Sequence, residues 1–353
     1  MPDMNNNHHW DKQGFHLVHS LEDDAWKAFV DDHPQGNIFH TPEMFEVFKR
    51  TQGYRPSLWA VRGGDEQILA LMLPVEITLS NLLRRLTSRN VVYGSILYEQ
   101  SQKGMEALEM LLKAYIQQTG GKTLFTELRN ISDLSPIQSL MQKCGFSYED
   151  HLNYLINLDL PVDAVFQNIG QRTRKNIRKA INRGEVQIEV VRDLQQMDDC
   201  YQLIWKTYRA ASIPPPSKSM FEAAYDVLGP KEMVRFTLAR VNGVPVAVSA
   251  DLLYKHVIYG WYGGMDRAYS AYSPNELLTW HILKWGAEQG YHVYDFGGAG
   301  KPDEKYGVRD FKAKFGGQLV CYGRNTYVHN PITLSISKVG YQIYQGIVEA
   351  RTS

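Results

Sequence analysis

The apolar positions of the chain follow two different spacings, which predict a mixture of helices and strands. They repeat at helical spacing in 104–118, 274–289 and 334–350. Shorter apolar runs, such as 123–128 and 257–262, have the length and the β-branched and aromatic content of strands. Glycine-rich and Asn-Gly turns join the strands of two predicted hairpins. The pattern therefore predicts an α/β protein of the α+β type, with mixed sheets.

The order of predicted elements is the same in the two halves of the chain. Each half gives helices, a hairpin, a strand, a crossover helix and a returning strand. The strand before the crossover helix reads VVYGS at 91–95 in one half and VIYGW at 257–261 in the other. This match indicates an internal duplication. The predicted division is a disordered segment at 1–13, domains at 14–159 and 160–328, and a C-terminal helix at 329–353 that packs back on the first domain.

Composition and charge exclude several classes of protein. The 353 residues are many for one core, which favours two domains. The 38 Lys and Arg balance the 38 Asp and Glu, so no general attraction for DNA is expected and any anion site must be local. No apolar run approaches the ~18 residues of a membrane span. The 3 cysteines have no CxxC spacing, which predicts reduced thiols, a cytoplasmic protein and no metal site.

The stretch 291–317 carries the main candidate chemistry. It begins as a strand that ends at the glycine pair 297–298, with the carboxylate of Asp295 beside it. A polar loop follows, and Lys312 and Lys314 then alternate with two phenylalanines. If this last part is a strand, both lysines lie on one face and form a cationic surface. A carboxylate and cations near flexible backbone suit polar chemistry, in which Asp295 could orient an attacking amine or accept its proton. The alternative is a solvated surface loop.

A predicted helix over 166–183 is strongly basic. It carries six Lys and Arg between Arg172 and Arg183, and no acid stands among them to neutralise them at i,i+4 spacing. This pattern favours an anionic partner, such as a nucleotide diphosphate, a lipid-linked pyrophosphate, a membrane surface or a tRNA phosphate. A solvated helix face is the alternative.

These segments together resemble the Fem family of aminoacyltransferases and their GNAT acyltransferase relatives. The resemblance rests on RTRKNIRKAINRG at 172–184, YGGMDRAYSAYSPNELLTW at 262–280, and YDFGG and FKAKFGG within 294–317. It implies two tandem GNAT-like acyltransferase domains. The chain departs from the GNAT pattern at 267–272, where serine and tyrosines replace the glycines of the loop that holds the coenzyme-A pyrophosphate. The resemblance implies no tightly bound cofactor and either aminoacyl-tRNA or acyl-CoA as acyl donor.

The resemblance further implies an activity and roles for individual residues. An acceptor amine would attack an activated acyl carbonyl directly. Lys312 or Lys314 would stabilise the oxyanion and Asp295 would assist the amine. The implied acceptor is a nucleotide- or lipid-linked amine of a peptidoglycan-like cell-envelope precursor, reached through peripheral contact with the membrane. The candidate substrate-binding residues are His40, Arg172, Arg178, Arg209, Lys218, Tyr259, Trp261, Tyr262, Lys305 and Arg309.

Two other functions stay open at this point. One is an acyl-CoA-dependent N-acetyltransferase that modifies an amino sugar or another small amine in polysaccharide synthesis. The other is a non-catalytic protein that uses the same groove to bind an anionic glycan precursor. Loss of turnover with intact acceptor binding in lysine variants at 312 and 314 would distinguish an enzyme from a binding protein.

Overall fold

The computed structural model describes residues 14–78 and 87–335, which fold into two compact units. Among the described residues, unit 1 comprises 14–49, 53–78, 87–149 and 323–335, and unit 2 comprises 50–52 and 150–322. The predicted disordered segment 1–13 lies outside the described residues. Of the predicted C-terminal helix, residues 331–335 are helical and 336–353 lie outside the described residues.

Besides the helical residues 331–335, unit 1 contains two sheets and four α-helices among its described residues. Its strands are β1 (His16–Val18), β2 (Tyr54–Pro56), β3 (Trp59–Arg62), β4 (Ile68–Met72), β5 (Pro74–Ile77), β6 (Arg89–Tyr93), β7 (Leu97–Tyr98), β8 (Phe125–Arg129) and β9 (Ser147–Glu149). Its helices are α1 (Asp23–Asp32), α2 (Pro42–Arg50), α3 (Gln102–Thr119) and α4 (Gln138–Lys143). The sheet orders are β1-β3-β4-β7 and β2-β5-β6-β8-β17-β9, where β17 (Arg324–Val328) comes from the end of the described chain.

Unit 2 is built on one seven-stranded sheet, in the order β11-β12-β13-β14-β15-β10-β16. Its strands are β10 (Leu152–Asn157), β11 (Val186–Val190), β12 (Val234–Val241), β13 (Val244–Tyr254), β14 (Val257–Met265), β15 (Val293–Gly298) and β16 (Gln318–Cys321). Its helices are α5 (Val162–Asn168), α6 (Gln171–Arg183), α7 (Leu194–Ala210), α8 (Lys218–Leu228), α9 (Pro274–Glu288) and α10 (Gly307–Ala313).

Each unit contains one parallel strand pair joined by a crossover helix, as the duplication predicts. In unit 1, β6 pairs with β8 in parallel and α3 connects them. In unit 2, β14 pairs with β15 in parallel and α9 connects them. The other strand pairs of the described chain are antiparallel. The predicted mixed-sheet fold with two repeated domains is therefore confirmed.

Helices cover both faces of the unit 2 sheet. Helix α7 packs on β13 and β14, where Gly264 lies against the backbone of Leu203. Helix α9 packs on β12 and β13 and on the helices α5 and α6. The buried side chains of Ile177, Ile258 and Leu278 belong to the core cluster on the α9 side.

Two strands belong to a different unit from the one to which the predicted boundaries assign them. The predicted boundary at 159/160 puts β10 in the first domain, but β10 pairs with β15 and β16 in unit 2. The predicted boundary at 328/329 puts β17 in the second domain, but β17 pairs with β8 and β9 in unit 1. The units divide at 149/150 and 322/323, because strand pairing and not chain order decides which sheet a strand joins.

The basic segment predicted as one helix over 166–183 is two helices. Helix α5 ends at Asn168 and α6 begins at Gln171. At the break, the backbone N–H of Gly170 donates to the carbonyl of Lys314, at 2.8 Å. The glycine permits this close approach, since a Cβ there would lie 3.2 Å from that oxygen. Helix α6 then ends at Arg183 and is capped by Gly184, whose φ of 64° is the left-handed conformation typical of a helix C-terminus.

Candidate active site

The two parallel strands of unit 2 separate before they end, and this opening is the candidate active site. Strands β14 and β15 are paired at three positions only, the last being Tyr259 with Asp295. Beyond that point, β14 continues to Met265 and β15 continues to Gly298 without pairing to each other. We call this opening the splay. Its walls are strand backbone, whose N–H and C=O groups can bind an extended ligand.

A bulge in β14 lies where the splay begins. Asp251 of β13 is opposite Gly260, while its neighbour Ala250 is opposite Tyr262. Trp261 is therefore an extra residue in β14 with no partner in β13. A bulge of this kind bends a strand and increases its twist. It accounts for the separation of β14 from the straight course of β15.

The candidate residue Asp295 lies at the last paired position, before the splay. Its side chain is 4% exposed. The carboxylate accepts hydrogen bonds from the Gly297 N–H at 2.7 Å and from the Asn153 amide at 3.3 Å. Burial raises the pKa of Asp295 to about 6, although these hydrogen bonds and the charge of Lys312 oppose that rise. A carboxyl group with a pKa close to neutral can accept a proton from an attacking ammonium or amine.

The side chain of Lys312 is buried beneath the end of β15. Its Nζ donates to the carbonyls of Phe296 at 2.5 Å, Gly297 at 3.2 Å and Gly298 at 2.7 Å. These three acceptors occupy the three hydrogens of the ammonium group, so none remains to bind an oxyanion directly. Burial lowers the pKa of Lys312 to about 8, against the opposing effect of Asp295. The geometry favours Lys312 as a positioning residue that fixes the end of β15.

The strand predicted around Lys312 and Lys314 is wrong, because residues 307–313 form helix α10. The rings of Phe311 and Phe315 meet edge to face with centroids 5.2 Å apart, and the two residues are four positions apart, which is helical spacing. The two lysines consequently do not share one face. Lys312 is 7% exposed, whereas Lys314 is exposed and lies over the Phe311 ring at 5.5 Å. The predicted cationic face does not form.

The loop between β15 and α10 contains the candidates Lys305 and Arg309. The Arg309 guanidinium donates to the carbonyls of Lys301, Pro302 and Glu304. It therefore closes the loop on itself, which leaves little of its hydrogen-bonding capacity for a ligand. Lys305 is exposed at the same loop. Of these two cations, Lys305 is the better placed for a ligand contact.

The three predicted aromatic residues of β14 lie along one wall of the splay. The Tyr259 ring borders Gly297, since a Cβ there would lie 3.2 Å from the Tyr259 hydroxyl. Trp261 and Tyr262 both pack on Phe221 of α8, with ring centroids 5.7 and 5.1 Å away. Tyr208 of α7 lies 5.7 Å from the Tyr262 ring. Half-buried aromatic rings at an opening give an apolar surface for substrate and restrict access of water.

The exposed face of α6 holds Arg172 and Arg178, and it keeps its charge. No salt bridge engages Arg172, Lys175, Arg178 or Lys179 among the described residues. Arg178 lies over the Phe166 ring at 5.2 Å. These cations therefore form a basic surface on unit 2, as the sequence predicts.

Two other predicted binding residues have different surroundings. Lys218 forms ion pairs with Asp198 at 2.6 Å and Glu222 at 3.1 Å, which neutralise its charge. Arg209 is exposed and stacks on Trp205 at 4.7 Å. Arg209 can thus bind an anion, whereas Lys218 stabilises the start of α8.

His40 lies in unit 1 and is fully buried. Its Nδ1 accepts from the Asn37 N–H at 3.3 Å, and its Nε2 lies 3.3 Å from the Ser95 carbonyl, to which it donates. Both ring nitrogens are engaged with backbone, and the ring completes a capping box. The contacts favour a structural role for His40 in place of the predicted substrate contact.

Unit 1 has no splay of this kind among its described residues. Strands β6 and β8 are paired from Asn90 with Thr126 through to Tyr93 with Arg129, the last residues of both strands. The carboxyl ends of β6 and β8 thus stay paired with each other, which leaves no opening between them. This difference supports unit 2 as the copy that carries the chemistry.

A buried acid near the site was not among the predicted residues. Asp251 of β13 is 0% exposed and accepts hydrogen bonds from Tyr294 at 3.0 Å and Ser249 at 2.8 Å. Asn153, which binds Asp295, was also missed. Their sequence positions are ordinary strand positions, and only the sheet register brings them to the site. Within the described residues, no group of three His, Cys, Asp or Glu is arranged to hold a metal ion.

Asp251 should make stability depend on pH. Burial raises its pKa from 3.8 to about 7, against the opposing hydrogen bonds. The folded protein then keeps a proton that the unfolded chain releases, so the free energy of unfolding falls as pH rises from about 4 to 7. Asp251→Asn is expected to reduce this fall by up to about 1.4 kcal/mol per pH unit. Urea unfolding across this pH range measures how the free energy of unfolding changes, and Asp163→Asn at an exposed position is the control. Parallel slopes for wild type and Asp251→Asn would contradict the expectation.

Comparison with known proteins gives one family match and several structural relatives. Residues 168–312 match the acetyltransferase (GNAT) domain family. The fold is similar to that of FemX, with a TM-score of 0.70 and 16% identity over 91% of this chain and 99% of that one. It is also similar to a tandem GNAT protein from the clavulanic acid biosynthesis pathway (TM-score 0.56, 9% identity, 90% and 99% covered). L-PGS from Bacillus licheniformis is a third (TM-score 0.56, 14% identity, 93% and 98% covered). A search of curated protein sequences found no match.

Proposed function

We propose that the chain is an acyltransferase that acylates an amine of a cell-envelope precursor, because residues 168–312 match the acetyltransferase (GNAT) domain family and the fold is similar to that of FemX. The transferred group is an activated acyl or aminoacyl group. The acceptor is a nucleotide- or lipid-linked amine of the peptidoglycan-precursor type. The proposed place of reaction is the cytoplasm, with the lipid-linked form reached at the membrane surface. No helix of the described chain is long and apolar enough to span a bilayer.

The observation that carries this proposal is the splay between β14 and β15. An extended acyl donor can enter between the two strands and bind backbone groups of β14 as an added strand would, since the carbonyls of Phe296 to Gly298 on β15 are already bound by Lys312. A backbone N–H that points at the acyl carbonyl would stabilise the negative charge that develops on its oxygen. Backbone N–H groups are fixed in place before the reaction, and this preorganisation is what makes their stabilisation of the negative charge effective.

In the proposed reaction, the acceptor amine attacks the acyl carbonyl and forms the new amide bond as the ester or thioester bond breaks. Asp295 is the proposed acceptor of the proton that the amine loses, directly or through a water molecule, because burial raises its pKa to about 6. Lys312 acts on the reaction through the backbone of Phe296 to Gly298, whose carbonyls it binds. Holding both substrates in line supplies much of the rate.

The segment just before the crossover helix α9 favours an aminoacyl ester over acyl-CoA as the acyl donor. A pyrophosphate needs free backbone N–H groups before the crossover helix. Residues 267–272 form a 3₁₀ helix instead, and the N–H groups of Ala268, Tyr269 and Ser273 already donate to Asp266 and Ser270. The carboxylate of Asp266 would also repel a pyrophosphate. Aminoacyl-tRNA, which needs no such cradle, is therefore the donor we propose.

The charged surface of α6 supports an anionic substrate. Arg183 pairs with Glu185, but four other cations of this helix have no acidic partner among the described residues, so their field is available to phosphates of the acceptor or of tRNA: Arg172, Lys175, Arg178 and Lys179. An uncharged amine acceptor would offer no anionic group for this basic surface to bind. This surface is what favours a nucleotide- or lipid-linked acceptor over a free amino sugar.

Turnover with defined donors tests the proposed function. The purified chain is incubated with a mixture of aminoacyl-tRNAs, or with acetyl-CoA, and with a UDP-linked sugar-peptide acceptor, and products are read by mass spectrometry. The expected result is a mass increase of one aminoacyl residue, only with the aminoacyl-tRNAs. Acetylation of the acceptor, or of glucosamine offered in a parallel reaction with acetyl-CoA, would instead establish the CoA-dependent alternative. Tight acceptor binding with no product from any donor would identify a binding protein.

A further inference from the structure

A cavity of unit 2 lies away from the splay, at the opposite ends of the same strands. Its volume is about 920 Å³. His256, just before β14, and Tyr291, just before β15, are in its lining, whereas the splay lies at the carboxyl ends of these strands. Trp285 of α9 and Phe236 of β12 add further aromatic surface. None of these residues has a part in the proposed transfer reaction.

Arg235 is the unusual residue of this cavity. Its guanidinium carbon lies 4.1 Å from the centroid of the Trp285 ring. Its Nε is buried and has no hydrogen-bond partner. Across residues 14–78 and 87–335, no hydrogen bond or ion pair engages this guanidinium. A half-buried guanidinium usually has an acceptor, because leaving its N–H groups without one is costly.

The nearest buried acid is not that acceptor. Arg235 and Asp251 are opposite each other on β12 and β13. The Asp251 carboxylate, however, accepts hydrogen bonds from Tyr294 and Ser249. The ring of Trp285 offers the cation a favourable face but no hydrogen-bond acceptor. The donors of Arg235 are therefore left for a group that enters the cavity.

The lining limits what that group can be. Lys255 and Arg235 contribute positive charge, while Asp226 and Glu232 contribute an equal negative charge. A balanced lining disfavours a multiply charged ligand such as a nucleotide diphosphate. A guanidinium binds a carboxylate through two parallel hydrogen bonds. The aromatic and apolar part of the lining suits an apolar body attached to that carboxylate.

We propose that this cavity is a second ligand site, which binds a small organic monocarboxylate through Arg235 and packs its apolar body against Trp285. The site is separate from the splay and does not depend on the proposed transfer reaction. Its ligand is therefore neither the acyl donor nor the acceptor amine.

Ligand-observed NMR titration of the full-length protein tests this site with 3-phenylpropanoate as probe. Saturable binding to the wild type is expected, weakened roughly 10- to 100-fold by Arg235→Gln, since a charge-assisted hydrogen bond is lost. Arg235→Lys, which keeps the charge but loses the paired geometry, should give an intermediate affinity. The control is Lys284→Gln, which removes one positive charge next to Trp285 from an exposed residue outside the cavity lining.

The wild-type protein alone also decides the question if Arg235→Gln does not fold. The neutral amide 3-phenylpropanamide should bind roughly tenfold more weakly than the carboxylate. Equal binding of the amide, no saturable binding of the carboxylate, or unchanged affinity in a folded Arg235→Gln variant would each overturn the proposal. Tighter binding of the dianion phenyl phosphate would overturn the monocarboxylate assignment. Acyl transfer is not measured in any of these experiments, so their outcome is independent of the proposed function.

Discussion

Replacing Lys312 with methionine is expected to reduce acyl transfer roughly 1,000-fold or more and to lower the free energy of unfolding by about 3 kcal/mol. The methylene chain of methionine can fill the buried space, but it cannot donate. The carbonyls of Phe296, Gly297 and Gly298 would then lose their shared cationic donor. The variant therefore removes the ammonium group and leaves these buried acceptors unsatisfied. Asp295 would lose its neighbouring positive charge as well. Chemical unfolding and single-turnover kinetics measure the two effects.

Lys314→Met is the matched control for this experiment. It makes the same chemical change two residues away, at an exposed position whose side chain forms no hydrogen bond or ion pair in the described structure. Its stability should stay within about 0.5 kcal/mol of the wild type. A positioning role also predicts that Lys312→Met lowers kcat more than it raises KM for the acceptor. Equal activity and stability of the two variants would contradict the role given to Lys312.

The contrast between these lysines marks a limit of what the sequence can predict. The segment FKAKFGG can be a strand with both lysines on one side, or a helix with Phe311 and Phe315 on one side. The packing of the two rings decides for the helix. The acceptors of Lys312 are backbone carbonyls 14 to 16 residues earlier in the chain. Any residue type offers such acceptors, so no sequence pattern announces a buried lysine of this kind.

The fold was largely predictable because the chain repeats it. The strands VVYGS and VIYGW both precede a crossover helix and a parallel partner, as the duplication predicts. The exchange of β10 and β17 between the units was not predictable, since their apolar patterns fit either sheet. The ion pair of Lys218 was not predictable either, because its partner Asp198 is in another helix and is brought close only by packing. The splay itself depends on a bulge at Trp261, which follows from the register of β13 and β14.

A valine at position 263 is expected to reduce acyl transfer roughly 100-fold or more without unfolding the protein. Gly263 lies in β14 beyond its last pair with β15 and is exposed. A Cβ there would meet only the Val248 carbonyl, at an ordinary 3.5 Å, and the φ of this glycine is not positive. Valine is favoured in strands, so the backbone can accept it. Its methyl groups would occupy space beside the splay, where we propose that the donor enters.

The kinetic signature separates this blocking effect from a general loss of structure. The donor should bind more weakly to Gly263→Val, with a higher KM for the donor and little change in acceptor affinity. Thermal unfolding should match the wild type within a few degrees. Gly64→Val in unit 1 is the control, since a Cβ there meets only the Gly14 carbonyl at 3.7 Å and lies far along the chain from the splay. A folded Gly263→Val variant with wild-type donor KM and turnover would mean that the donor does not enter between β14 and β15. The proposed mechanism would then lose the observation that carries it.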